Sequence, residues 1–261
     1  MSRLRLRSQL ALAAVVAFVG VAVYLPAVGG GWIYDDHPLI ASNPHVHSFA
    51  EWPRWFLTDF WNVNPDLVRL GTRILYWRPG VTATYALDWW AGGGSPLMFH
   101  ITNCIWQGLA CALAYLALRR WLGRTWPAFA AALLFAVHPT KAESVAWIAG
   151  RTDVLCLAAI LVASAGIARR LAGRHGGIAM EAGGTLVAYL CKEQAIVLPC
   201  FAAVEAWVAL GRPALELGVL WKMVRAALPQ AAIAFVYLAI RFALLPIGPS
   251  QPPPHIALGE H

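Results

Sequence analysis

FAVHPTKAESVAWIAGRTDVLC (residues 135–156) passes from an apolar run into dense charge and back, with His138, Lys141, Glu143, Arg151 and Asp153 packed between the two greasy ends. The fold turns on what those ends are. If both are helices that cross a membrane, the charges occupy one rim of a bundle; otherwise they form only a polar loop. Composition decides the class. The chain has 261 residues, 59% hydrophobic and 13% charged, whereas soluble domains are about 25% charged. A polytopic membrane protein with an all-α transmembrane helical bundle is expected. The 13 Trp residues suit an interfacial segment, where amphipathic rings sit at headgroup depth. A net charge of +7 is read as a topology signal. No solvated basic surface points to nucleic acid. The five cysteines are odd in number, lack a CxxC spacing and sit in or beside apolar runs, so they are read as small packing residues.

Working outward, about seven spans are expected, over residues 9–28, 96–118, 126–137, 154–168, 178–191, 195–210 and 224–246. Several fall short of the roughly 20 residues a crossing needs, so polar flanks must contribute or some segments re-enter. The first is read as an uncleaved helix behind Arg3, Arg5 and Arg7. Those arginines, with Arg119/Arg120/Arg124, Arg169/Arg170/Arg174 and Arg212/Lys222/Arg225, alternate with the other segment ends. Placing them in the cytoplasm puts residues 29–95, 138–153 and the Lys192–Glu193 junction on the outer face. The long first outer loop, 29–95, mixes aromatics and charges at short range and is expected to form interfacial amphipathic helices.

Several polar groups on that face are candidates for chemistry. Asp35 and Asp36 follow the first span at once; adjacent carboxylates repel, which raises one pKa and suits a general base, a cation ligand or merely an acidic loop. After Pro139 a short helix is expected, with Glu143, Trp147 and Gly150 on one stripe and a cation such as Lys141, Arg151 or Arg78 beside Glu143. This cluster reads either as a site or as an ion-pair brace. Lys192–Glu193 lies between apolar runs, where ionisable pairs are costly unless used. Arg78 offers a guanidinium that can grip a phosphate or snorkel to the interface. His100 and Asn103 stand one turn apart and read first as a structural pair.

Five blocks in order, YDDHPLI, YWRP, FHITN, VHPTKAESVAWIAGRTDVL and CKEQAIVLP, resemble the amino-terminal membrane region of the transmembrane and tetratricopeptide-repeat O-mannosyltransferases, of the C-type glycosyltransferase superfamily. The resemblance covers residues 9–247 and implies a membrane domain over 1–247 and a short Pro-rich tail over 248–261. The family usually continues into further spans and helical repeats, so the chain reads as a complete enzyme, a fragment or a truncated reading frame. The implied activity is transfer of a sugar from a polyprenyl-phosphate carrier to a hydroxyl acceptor, protein Ser/Thr or glycan, with inversion. The expected location is the extracytoplasmic face of a multi-pass membrane protein, with a bacterial inner membrane as the setting.

By position the family's outer-loop carboxylate falls on Asp35 or Asp36. Asp35 is the expected base; Asp36 either ligates a divalent cation, Mg or Mn, or orients its neighbour. Cations lower the barrier as charge builds on a leaving lipid phosphate, and Arg78, Lys192 and Arg151 are the expected donor-phosphate ligands. Glu143, Asp153, Glu193, His138, His100 and Asn103 are expected to support them. A lipid-borne donor needs no nucleotide cradle, and no GxGxxG or GKT motif occurs. The competing expectation is a non-catalytic polytopic protein, a transporter or assembly partner. A transporter should place ionisable groups near mid-membrane and show internal repeats; here the charges gather at one rim.

Overall fold

The computed structural model describes residues 3–61 and 76–244. Residues 62–75 of the first loop and the Pro-rich tail 248–261 lie outside them. Among the described residues every regular element is helical. Helix α1 (Arg3–Ala22) leads into a run of tight turns, then α2 (Trp52–Leu57) and α3 (Pro79–Gly92). There follow α4 (Pro96–Leu122), α5 (Thr125–Val137), α6 (Ala142–Ala146) and α7 (Arg151–Leu171). The last are α8 (Gly177–Cys191), α9 (Leu198–Ala209) and α10 (Leu217–Leu244).

Each expected apolar segment is a helix, but they differ in reach. Three, α4, α7 and α10, are long and apolar enough to cross a membrane. By contrast α5 has 13 residues, about 20 Å at 1.5 Å per residue, against a hydrocarbon core of about 30 Å. The chain is thus an integral multi-pass membrane protein, with three such helices among the described residues; seven spans are not shown. The segment expected over 9–28 is also shifted. It takes in the arginines before it and stops at Ala22, where Pro26 turns the chain into a 3-10 segment, Leu25–Gly29.

Small residues set the closest packing. Helices α7 and α8 run antiparallel, with Gly166 and Gly184 at their contact; a Cβ on either would collide with the other helix's backbone. Close approach of this kind supplies the van der Waals contact that holds helices together in lipid, where apolar burial contributes little. Gly184→Val is expected to wedge the pair apart and cost about 1–3 kcal/mol, read as a lowered unfolding midpoint in detergent; an unchanged midpoint would contradict this packing. On the other side of the bundle Gly108 admits Ala17 and Val21 of α1.

The first outer loop does contain short helices, yet they are folded down onto the bundle. Leu39, Ile40, Phe60, Trp77 and Tyr85 share one core with Ile148, Leu155 and Tyr189. The indoles are tied as well: Trp55 Nε1 donates to the His45 carbonyl at 2.8 Å and Trp77 Nε1 to the Phe56 carbonyl at 2.9 Å. Helix α3 buries Val81, Tyr85 and Asp88 at the i, i+4, i+7 spacing of one helix face.

Candidate active site

The antiparallel α7–α8 pair brings the start of α7 to the end of α8. There Lys192 Nζ lies 2.5 Å from Asp153 Oδ1, and Ser144 Oγ donates to Asp153 Oδ2 at 3.4 Å. One residue on, Glu193 accepts two hydrogen bonds from Arg78, from Nε at 3.3 Å and from Nη2 at 2.7 Å. The Arg78 guanidinium also lies over the Tyr76 ring, 4.4 Å from its centroid. Burial pushes the Glu193 carboxyl up, but the hydrogen bonds and charge of Arg78 outweigh that and hold it below the usual range. The close approach of Gly80 to the Leu190 carbonyl seats α3 against the end of α8, which places Arg78 beside Glu193.

The two adjacent aspartates part company. Asp36 is fully buried and acts as a clamp. Its Oδ2 accepts from the Ile33 backbone N–H at 3.0 Å, closing its own turn, and its Oδ1 accepts from the Ala149 N–H at 2.9 Å, pinning the loop to the α6–α7 junction. These contacts do not fit a divalent cation. Both oxygens are taken by N–H donors, and no group of three or more His, Cys, Asp or Glu gathers among the described residues. Asp35 is only half-buried, and desolvation raises its carboxyl above the usual carboxylate range. It follows Tyr34, whose φ of 46° lies in the left-handed region that side chains disfavour.

Arg151 is placed otherwise than a phosphate ligand would be. Its side chain is completely buried, with Nη1 2.5 Å from Asp88 Oδ2 and Nη2 donating to the Phe99 carbonyl at 3.0 Å and to Thr102 Oγ1 at 3.1 Å. Asp88 was missed by sequence reasoning. The available signal was its position on the buried stripe of α3 with Val81 and Tyr85, where a carboxylate requires a partner.

The expectations for Glu143 are corrected. The side chain is exposed and, among the described residues, forms no ion pair; an exposed carboxylate does not need one, unlike a buried carboxylate. Helix α6 ends at Ala146 and Trp147 is extended, so the expected stripe with Trp147 and Gly150 does not form. His138 is exposed and caps the next turn, accepting from the Thr140 N–H at 3.3 Å. Asn103 Nδ2 donates to the carbonyls of Val145 at 3.1 Å and Trp147 at 3.2 Å, fastening this turn to α4. His100 is buried against the backbone of Gly30, below the aspartate turn.

These groups share one end of the bundle. Ala149, held by Asp36, is four residues before Asp153, at most about 15 Å along the chain. Buried Tyr85 feels the charges of Arg151, Asp36, Arg78 and Asp88, and Cys156 those of Lys192, Asp153, Glu193 and Arg78. From this end an apolar groove of about 510 Å³ descends between α4, α7 and α8, lined by Trp106, Leu155, Val162 and Val187, with Thr84 and Cys191 next to the charged groups. At the opposite end of α7, two carboxylates about which sequence reasoning made no claim are also paired. Glu205 accepts from Arg120, Ser164 and Trp121, and Glu181 from Arg170 and Gln230.

Comparison with known proteins places this arrangement among relatives. Protein O-mannosyl-transferase Tmtc2 of Drosophila melanogaster is 34% identical over 189 residues, 69% of this chain and 20% of that protein. Protein O-mannosyl-transferase Tmtc1 of the same fly is 34% identical over 188 residues, 72% of this chain and 21% of that protein. Mouse protein O-mannosyl-transferase TMTC4 is 27% identical over 221 residues, 76% of this chain and 29% of that protein. The chain thus spans about a fifth of the length of the two fly relatives. No family model matches the chain, and no solved structure does. These relatives are animal proteins and lend no support to a bacterial inner membrane.

Proposed function

This chain is homologous to the Tmtc protein O-mannosyl-transferases, and from that kinship we propose that it transfers a sugar from a polyprenyl-phosphate carrier to a hydroxyl acceptor, protein Ser/Thr first among them. The transfer takes place at the extracytoplasmic end of the bundle, with about seven membrane segments, of which the short helices cross with the help of their polar flanks or re-enter. The observation that supports this reading is the presence at one end of the bundle of three features: a half-buried carboxylate with a raised pKa, partly buried cations, and an apolar groove of about 510 Å³ that reaches Cys191, next to Lys192. The groove suits an isoprenoid chain; mostly apolar clefts of this size are typical ligand sites.

The chemistry distributes over the residues by their freedom to move. Asp35 takes the acceptor's proton as its oxygen attacks the anomeric carbon. Asp36 fixes the turn that carries Asp35. Charge developing on the departing lipid phosphate is met by Lys192 and Arg78. Arg151, held by Asp88, braces α3 against α7.

Among the described residues Arg78, Arg151 and Lys192 each already have a carboxylate partner, so a phosphate bound by one of them must displace it. The Lys192–Asp153 pair is the one to exchange, since the Asp153 side chain is 43% exposed while those of Asp88 and Glu193 are 8% and 23% exposed. Lys192→Ala is therefore expected to weaken binding of a polyprenyl-phosphate sugar about 10- to 100-fold, the worth of a charge-assisted hydrogen bond. Asp153→Asn, which removes the competing carboxylate, is expected to tighten it. Donor titration of the purified chain reads both, and unchanged affinity in Lys192→Ala would remove that residue from the site.

A further inference from the structure

We propose a second lipid site, for the headgroup of an anionic phospholipid, in the hairpin that joins α7 to α8 at the end of the bundle away from Asp35. The inference is independent of the transfer reading. A cavity of about 580 Å³ opens here, walled by Arg170, Arg174 and His175 on one side and by Ile178, Ala179 and Ala182 on the other. Glycines keep it open: Gly173 and Gly176 turn the chain with φ of 65° and 75°, and open space surrounds the positions their Cβ atoms would take.

The cavity carries uncompensated positive charge. Glu181 comes from the packed helix α8, but it is committed to Arg170, with Nε 2.5 Å from Oε2, and to Gln230 of α10, whose Nε2 donates to Oε1 at 3.0 Å. Exposed Arg169 spends one donor closing the hairpin onto the His175 carbonyl at 2.8 Å. Exposed Arg174 forms no ion pair among the described residues.

The apolar wall names the source of the anion. Ile178 is 71% exposed, and Ala179 also lines the apolar groove between α4, α7 and α8. A phosphate held by Arg174 would therefore have an acyl path beside it. The 21 residues of α7 span about 30 Å, so this cavity and the Asp35 end face opposite leaflets. Basic pockets between helices at a cytoplasmic face attract anionic headgroups, at about 1 kcal/mol for each nearby basic residue.

The test is thermal unfolding of the chain in a zwitterionic detergent, titrated separately with phosphatidylglycerol, phosphatidylcholine of the same acyl chains, and inorganic phosphate. Phosphatidylglycerol is expected to raise Tm more than phosphatidylcholine, and inorganic phosphate to leave it unmoved. Arg174→Ala should raise the half-saturating phosphatidylglycerol about fivefold. Arg124→Ala, which deletes an exposed charge from the same end but outside the cavity, should leave it unchanged. Equal shifts with both lipids, a shift reproduced by inorganic phosphate, or equal losses in both variants would overturn the proposal.

Discussion

Asp35→Asn is expected to reduce sugar transfer by about 10²- to 10⁴-fold, the usual contribution of a positioned general base, with donor affinity and unfolding midpoint unchanged. Asn keeps the shape of the side chain and cannot take a proton. Because Asp35 is half-buried and makes no side-chain hydrogen bond among the described residues, little else is lost. Asp36→Asn should behave in the opposite sense. An amide can offer only one oxygen, so one of the Ile33 and Ala149 N–H donors is left facing an NH₂ group. Leaving a buried donor unsatisfied costs about 1–3 kcal/mol, seen as a lower midpoint and a loosened loop. The pH profile adds a signature. Desolvation raises the Asp35 carboxyl, and only the deprotonated form is a base. Transfer should therefore fall, as the pH drops, at a value above that of an ordinary aspartate, and this acid limb should vanish in Asp35→Asn. Normal transfer by that variant would refute the assignment.

Arg151→Ala is expected to be the most damaging single change to stability, about 3–5 kcal/mol, because it leaves the Asp88 carboxylate charged, buried and unpaired. The guanidinium also serves Phe99 and Thr102, so α3, α4 and α7 lose their common tie. If the pair is a brace, Arg151→Met combined with Asp88→Leu should recover much of that loss, since apolar replacement of a buried ion pair is often near neutral. Unfolding midpoints in detergent decide it. A double variant no more stable than Arg151→Ala would mean that the bonds to Phe99 and Thr102, rather than the charge pair, carry the brace. Full stability of Arg151→Ala would mean the pair does not brace the bundle.

Most of the helices were legible in the sequence because a long apolar run leaves the backbone few alternatives to a helix. The ends were less so. Segment 9–28 slid to Arg3–Ala22 because nothing in its composition separates a flanking arginine turn from the helix it extends. In the candidate site the partners of the charged residues were not legible. Lys192 with Asp153, and Arg78 with Glu193, are joined across 39 and 115 residues, and no spacing rule reaches that far. Asp88 was less legible, because the sequence alone does not tell which face of α3 is buried; that face is the one carrying Val81, Tyr85 and Asp88. Glu143 stands apart for the opposite reason: charges crowded in sequence part in space, Glu143 onto an exposed turn and Arg151 into the interior of the bundle. The arginines Arg120 and Arg170 served as topology signals, yet each also neutralises a buried carboxylate.

The central claim is that the groove beside Lys192 holds the donor's isoprenoid chain. Photoaffinity labelling with a polyprenyl phosphate bearing a photoreactive group in its first isoprene units, followed by peptide mapping, tests it most directly. Adducts are expected on α7 near Leu155 and on α8 near Val187 and Cys191, and an excess of unlabelled carrier should suppress them. Adducts confined to the outward faces of α1 and α10, with none on α7 or α8, would contradict the account.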